Sequence, residues 1–256
     1  MDPTQPTYDP LLGAPPAADA AALARQAADL FTTLASAAAQ EYRSLSVALG
    51  GGSTPKALYE LLASAAYRER IQWPLIHFFW GDERYVPADH ADSNYRMAYE
   101  ALLARVPVPA ANIHRMATDS PDEEAAARAA EADLRDHFKL QPGQLPRFDL
   151  ILLGLGDDGH TASLFPGQPA VEVTDRLVVA TPPGRLPPPV DRLTLTLPVI
   201  NHAAHVVFLV AGAGKAAALQ GVLHPVAGAA LPASRVHPTA GTLRWLTDQA
   251  AAGSLQ

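Results

Sequence analysis

A chain of 256 residues with 48% apolar side chains can bury a sizeable core, which argues against disorder and fits one large α/β domain or two small ones. Its formal charge of −7 argues against a non-specific nucleic-acid binder, because affinity for a phosphate backbone needs a concentrated basic surface. Zero cysteines exclude disulfides, thiolate zinc sites and a cysteine nucleophile, so any nucleophile is oxygen- or nitrogen-based.

No apolar run reaches about 18 residues, and the first 20 residues are acidic and proline-containing, without a basic segment followed by an apolar one. The expectation is a cytoplasmic protein with no membrane and no nucleic-acid partner.

In chain order, residues 16–43 carry a long helical pattern, with Leu23, Ala27, Leu30, Phe31 and Leu34 at three- and four-residue spacing. Strand-like apolar runs follow at residues 45–49, 75–80, 148–153 and 205–210, each ending in glycine, aspartate or a helix-start signal. Helical patterns at 56–66, 95–105, 121–138 and 215–223 separate them. Continuous apolar strands alternating with helices predict a mostly parallel sheet with helices on both faces, Rossmann-like in outline. Sites in such sheets sit at the carboxyl ends of the strands. The Pro-rich stretch 181–190 reads as a surface loop because a strand-like segment, 193–197, follows it directly. The whole chain, 1–256, therefore reads as a single domain.

Four segments can carry chemistry. Gly50-Gly51-Gly52-Ser53-Thr54-Pro55 follows the first strand. Its glycines let backbone amides approach a ligand, Thr54 reads as an N-cap with Pro55 at the first helical position, and the helix N-terminus suits an anion. No Gly-Lys-Ser/Thr ends the loop, which disfavours ATP. The alternative is ordinary strand-to-helix turn chemistry.

Gly81-Asp82-Glu83-Arg84, running on to Asp92-Ser93-Asn94, follows the second strand. Two carboxylates beside an arginine can order water, bind hydroxyls and tune one another, and Arg84 can hold an anion with paired donors. Equally, Asp82 and Arg84 could pair in a solvated loop while Ser93 caps the next helix.

The third segment, Gly154-Leu155-Gly156-Asp157-Asp158-Gly159-His160, formally satisfies G-x-G-x-x-G. Two aspartates would stand where a pyrophosphate should lie, so a dinucleotide is rejected. A histidine at the mouth of such a loop suits a general base because an imidazole titrates near neutral pH, and Asp158 can orient it. A structural histidine is the plainer alternative. The fourth segment places Arg192 at a strand start and Lys215 after Gly212-Ala213-Gly214, two cations suited to a phosphate or carboxylate, each otherwise a solvated charge. Arg185 in the Pro-rich loop is a weaker candidate of the same kind. The remaining histidines show no metal-ligand spacing; His202 and His205 read as structural residues flanking a strand.

Taken together, GGGSTP (50–55), DERYVP with DSN (82–87 and 92–94), GLGDDGHTASLFPG (154–167) and RLTLTLPVIN (192–201) resemble the 6-phosphogluconolactonase family, in the right order and across nearly the whole chain. The stretch from Pro232 to Trp245 also looks like that family's closing segment. The resemblance implies hydrolysis of 6-phospho-D-glucono-1,5-lactone to 6-phosphogluconate, the second step of the oxidative pentose phosphate pathway, without metal or organic cofactor. It implies catalytic roles for His160, Asp158 and Arg84. It implies substrate or phosphate binding by Gly51, Gly52, Ser53, Thr54, Asp82, Glu83, Asn94, Gly156, Arg192 and Lys215. The expected partner is a phosphorylated sugar lactone, and the expected state a monomer or small homo-oligomer.

Two other functions remain in view. Amino-sugar-phosphate isomerase/deaminases share the fold and an Asp-Gly-His loop, but theirs carries a glutamate where this chain has Phe165. A non-catalytic sugar-phosphate-binding domain of a transcription regulator would need a DNA-binding module for which this chain has no spare length.

Overall fold

A computed structural model describes residues 12–185, 187–225 and 231–253. The acidic opening, residues 1–11, and Leu186 of the Pro-rich stretch lie outside them. The helices are α1 (Ala20–Gln40), α2 (Ser53–Leu62), α3 (Ala65–Arg68), α4 (Asn94–Ala101), α5 (Glu123–His137), α6 (Leu197–Asn201), α7 (Ala216–Leu223) and α8 (Gln249–Ala252). The strands are β1 (Leu45–Leu49), β2 (Ile76–Trp80), β3 (Asp82–Arg84), β4 (Leu150–Leu153), β5 (Val178–Thr181), β6 (Arg192–Leu195), β7 (His205–Val210) and β8 (Thr242–Thr247). Among the described residues no helix is long and apolar enough to cross a membrane.

Five strands form a parallel sheet in the order β2-β1-β4-β7-β8, the α/β architecture expected from the apolar runs. The strands read as continuous apolar runs because both faces are covered. Leu45, Val47, Leu49, Ile76, Phe78, Leu150, Leu152, Val207 and Leu209 face one core with Leu23 and Phe31 of α1 and Leu58 and Tyr59 of α2. The alternate residues Ala48, Phe79, Ile151, Leu153, Val206, Phe208 and Val210 face the other, with Ala126 and Leu134 of α5 and Leu219 of α7.

A second sheet, antiparallel and in the order β3-β6-β5, was not expected. The segment read as a strand over 193–197 divides: β6 ends at Leu195, and Pro198, which cannot donate to a ladder, sits in the first turn of α6. Other boundaries shift for local reasons. Leu75 closes a 3-10 turn with Trp73 and Pro74 before β2. Asp149 precedes β4 because its carboxylate accepts from the Ser46 N–H and hydroxyl, both at 2.8 Å. The pattern over 56–66 is two helices, with Ser64 as the N-cap of α3. That over 95–105 ends as α4 plus a 3-10 turn at Leu103–Arg105.

Glu131 of α5 ties the helix to the small sheet. Its carboxylate accepts from Arg135 Nη2 at 2.8 Å, from Arg176 Nε at 2.8 Å and from the backbone N–H of Leu177, which leads into β5, at 3.2 Å. Partial burial alone would raise its pKa, but the donors from Arg176, Arg135 and Leu177 outweigh it and hold the carboxyl below its ordinary value of 4.5. A depressed acid contributes stability above its unfolded pKa and loses it as pH falls through the folded one. Glu131→Gln should therefore cost about 2 kcal/mol near neutral pH. In urea unfolding, the gap from wild type should narrow as pH drops below about 4.

Candidate active site

A cavity of about 250 Å³ opens at the carboxyl ends of β1, β2 and β4, where the expected segments converge. Gly50, Gly51 and Gly52 line it from the end of β1, Gly81, Asp82 and Arg84 from β2 and β3, and Gly154, Leu155, Gly156 and His160 from the loop after β4. Asn94, Arg192 and Lys215 line it as well, whereas Asp158 stands off the wall.

His160 and Asp158 form the central contact. His160 Nδ1 lies 2.5 Å from Asp158 Oδ1, which also accepts from the backbone N–H of His160 at 3.1 Å. Partial burial pushes Asp158 up, yet the ring and backbone donors of His160 prevail and hold it below the usual carboxylate range. An ionised carboxylate only accepts, so Nδ1 carries the proton and Nε2 keeps its lone pair. Gly156 is the residue the imidazole rests on: a Cβ there would stand 2.0 Å from His160 Nδ1.

Arg84 and Arg192 face each other across the antiparallel register of β3 and β6. Arg192 is buried; desolvation first, and then the neighbouring charge of Arg84, depress its pKa. Its Nε and Nη2 donate to the carbonyls of Val190 and Pro188 at 3.0 and 2.8 Å. Arg84 Nη1 donates to the carbonyl of Asp92 at 2.7 Å, while its buried Nε has no partner among the described residues. Two adjoining guanidiniums on one cavity wall concentrate positive charge there, an arrangement suited to an anion. Lys215 Nζ reaches Asp157 Oδ1 at 2.6 Å.

Asp82 is buried and held in place. Its Oδ2 accepts from Ser163 Oγ at 2.6 Å, and its backbone carbonyl from Asn94 Nδ2 at 3.0 Å. The expected local pair between Asp82 and Arg84 does not form, because each has these other partners.

Three expectations are corrected. Glu83 does not reach the cavity; its side chain is turned inward, 2% exposed. Oε1 accepts from the N–H of Arg84 and Asn94 and Oε2 from that of Tyr95, each at 2.7 Å, with Ser93 Oγ at 3.2 Å. It caps the first turn of α4 from below, beside the expected Ser93 cap, whose Oγ accepts from Arg96 N–H. Burial raises its carboxyl to about 7, against the pull of the three N–H donors. Second, Thr54 is not the cap of α2: that place falls to Gly52, at φ +95°, and Ser53 and Thr54 are the first helical residues, off the cavity wall. Third, the histidines outside the site are not all isolated, because His77, His114 and His137 come together elsewhere.

The sequence reading passed over Ser163, Phe165 and Pro187 as wall residues. The Phe165 ring lies 4.8 Å from that of His160, centroid to centroid, and the Pro-rich stretch read as a plain surface loop brings Pro187 over the cavity. Arg185 is exposed and off the wall. The T-A-S-L-F run after His160 was the available signal for Ser163 and Phe165; nothing local marked Pro187.

A cavity at the carboxyl edge of a parallel sheet, lined by an aspartate-paired histidine and two adjoining arginines, defines the class: an α/β protein with a strand-end site. The chain belongs to the glucosamine-6-phosphate isomerase/6-phosphogluconolactonase family, whose model matches residues 18–245. It is 50% identical over 210 residues to a 6-phosphogluconolactonase of Synechocystis, covering 82% of this chain and 84% of that one. It is 44% identical over 237 residues to one of Nostoc, covering 93% and 95%. Among solved structures it superposes on a 6-phosphogluconolactonase from Trypanosoma cruzi with a TM-score of 0.84 at 32% identity, covering 94% of this chain and 96% of that one.

In Glu83→Gln the amide NH2 must face a backbone donor whichever way it turns. Thermal or urea unfolding should show a loss of about 2 kcal/mol, with the β-sheet circular dichroism signal unchanged.

Proposed function

We propose that this protein hydrolyses 6-phospho-D-glucono-1,5-lactone to 6-phosphogluconate. The observation that carries the reading is the 2.5 Å contact of Asp158 with Nδ1 of His160, which lines the same cavity as Arg84 and Arg192. The names of the relatives support the substrate.

His160 Nε2 takes a proton from water as the hydroxyl oxygen attacks the lactone carbonyl carbon. The imidazolium formed, stabilised by Asp158, then gives its proton to the ring oxygen as the C–O bond breaks. The products are the open-chain carboxylate and one released proton, so the balance needs no further reactant. The backbone amides of Gly51 and Gly52, which line the cavity just before α2, are suited to the developing oxyanion. We assign Arg84, expected to be catalytic, to the phosphate with Arg192, since two guanidiniums side by side on the cavity wall favour a dianion. Lys215 supplies a further cation at the mouth, and Asp82 and Asn94 offer acceptors and donors to sugar hydroxyls. A lactone needs no prior ring opening, so the apolar Phe165 beside the base favours this reaction over aldose–ketose isomerisation with deamination.

We further read the chain as one cytoplasmic domain acting as a monomer or small homo-oligomer, without nucleic-acid or membrane partner.

The lactone, generated in place, should open faster with wild type than without enzyme. His160→Ala should lose at least about 100-fold in kcat while its melting temperature stays close to wild type. A fully active variant would refute the general base, and an inert wild type the function. Arg84→Ala should raise KM about tenfold for the phosphorylated lactone, the equivalent of one charged hydrogen bond, and leave the KM for unphosphorylated gluconolactone unchanged.

A further inference from the structure

Away from the cavity, three histidines from separate parts of the chain meet on the α5 face of the sheet. His77 is the second residue of β2, His137 the last of α5, and His114 follows the 3-10 turn at Ala110–Asn112. His114 is locked to the strand by its backbone N–H, which donates to the Phe78 carbonyl at 2.8 Å. One ring nitrogen from each lies within 4.8 Å of the others, and His77 Nδ1 is 3.2 Å from His114 Nε2. Two imidazole nitrogens on a tetrahedral zinc ion, each about 2.0–2.1 Å from it, stand about 3.3–3.4 Å apart.

A carboxylate sits where an outer partner of a metal-bound imidazole belongs. Asp133, one turn before His137 on α5, places Oδ2 3.0 Å from His114 Nδ1. Accepting the Nδ1 proton leaves Nε2, the atom facing His77, as the free lone pair. Phe79 stacks on the His114 ring at 4.3 Å and meets that of His137 edge-on, an apolar flank that fixes both rings. All three histidines are half-buried, within reach of an ion from solvent.

We propose that His77, His114 and His137 bind one divalent transition-metal cation of the zinc class, with water in the fourth position and Asp133 as the positioning residue for His114. An all-imidazole set without thiolate selects Zn2+ and its neighbours over Mg2+ and Ca2+, which require oxygen. Bound there, the ion cross-links β2, the connector before α5 and the carboxyl end of α5. None of the three residues lines the cavity of His160, so the role is separate from lactone hydrolysis.

The test is calorimetric titration of chelator-stripped protein with Zn2+ near neutral pH, with melting temperature measured in parallel. Wild type should bind one Zn2+ per chain and melt higher with it, and should ignore Mg2+. His137→Gln and His114→Gln should each abolish that binding, Asp133→Asn should weaken it about tenfold, and all three should keep lactonase turnover. His160→Ala should bind Zn2+ like wild type. Absence of saturable one-to-one binding, its persistence in both His137→Gln and His114→Gln, or its loss in His160→Ala would overturn the assignment; should one glutamine variant fail to fold, the other decides.

Discussion

The chain passes from one sheet to the other through Gly81, and the site depends on how that residue is hydrogen-bonded. Its N–H donates to the carbonyl of Leu49 at the end of β1, and its carbonyl accepts from the N–H of Leu195 at the end of β6, both at 2.9 Å. The parallel and antiparallel sheets are thereby joined at the carboxyl edge where β1 and β2 stop. The step from Trp80 to Asp82 then carries the second motif out of the central sheet into β3. From there β6 places Arg192 opposite Arg84, and the turn after β1 places Gly51 against Asn94.

The charges are divided by burial. Overall the protein is acidic, at −7, yet its cavity gathers Arg84, Arg192 and Lys215. A carboxylate such as Glu83 could spoil that field, but it faces inward and is surrounded by the α4 amides. The cavity wall of an acidic protein thus concentrates basic residues, an arrangement suited to an anionic ligand. Asp158 serves differently: it remains beside His160, where an anion stabilises an imidazolium rather than repelling a substrate.

Much of this was legible in the chain. β1 and β7 match the expected runs residue for residue, because a parallel strand covered on both faces must be apolar along its length. The pairing of His160 with Asp158 was legible too, since two residues' separation in a tight glycine loop leaves little freedom. Helix starts were less so: Asp19 and Asp122 cap α1 and α5 by side-chain bonds, but the start of α2 is set by the glycine turn, two residues earlier than a Thr54 cap implies.

Only the tertiary structure decided the rest, because those features rest on partners distant in sequence. Three- and four-residue antiparallel strands have too few residues to show a period, so the second sheet was hidden. Glu83 read as a ligand carboxylate because a sequence does not reveal which way a side chain turns; its role came from Asn94 and Tyr95 folding back over it. The histidines of β2, the connector and α5 have no ligand spacing along the chain and meet only when α5 packs on the sheet. The sequence by itself determined the strand type and the glycine loops and marked His160 as the candidate base, since local composition suffices for these. Which charges face the cavity, and which are buried beneath it, was decided by packing.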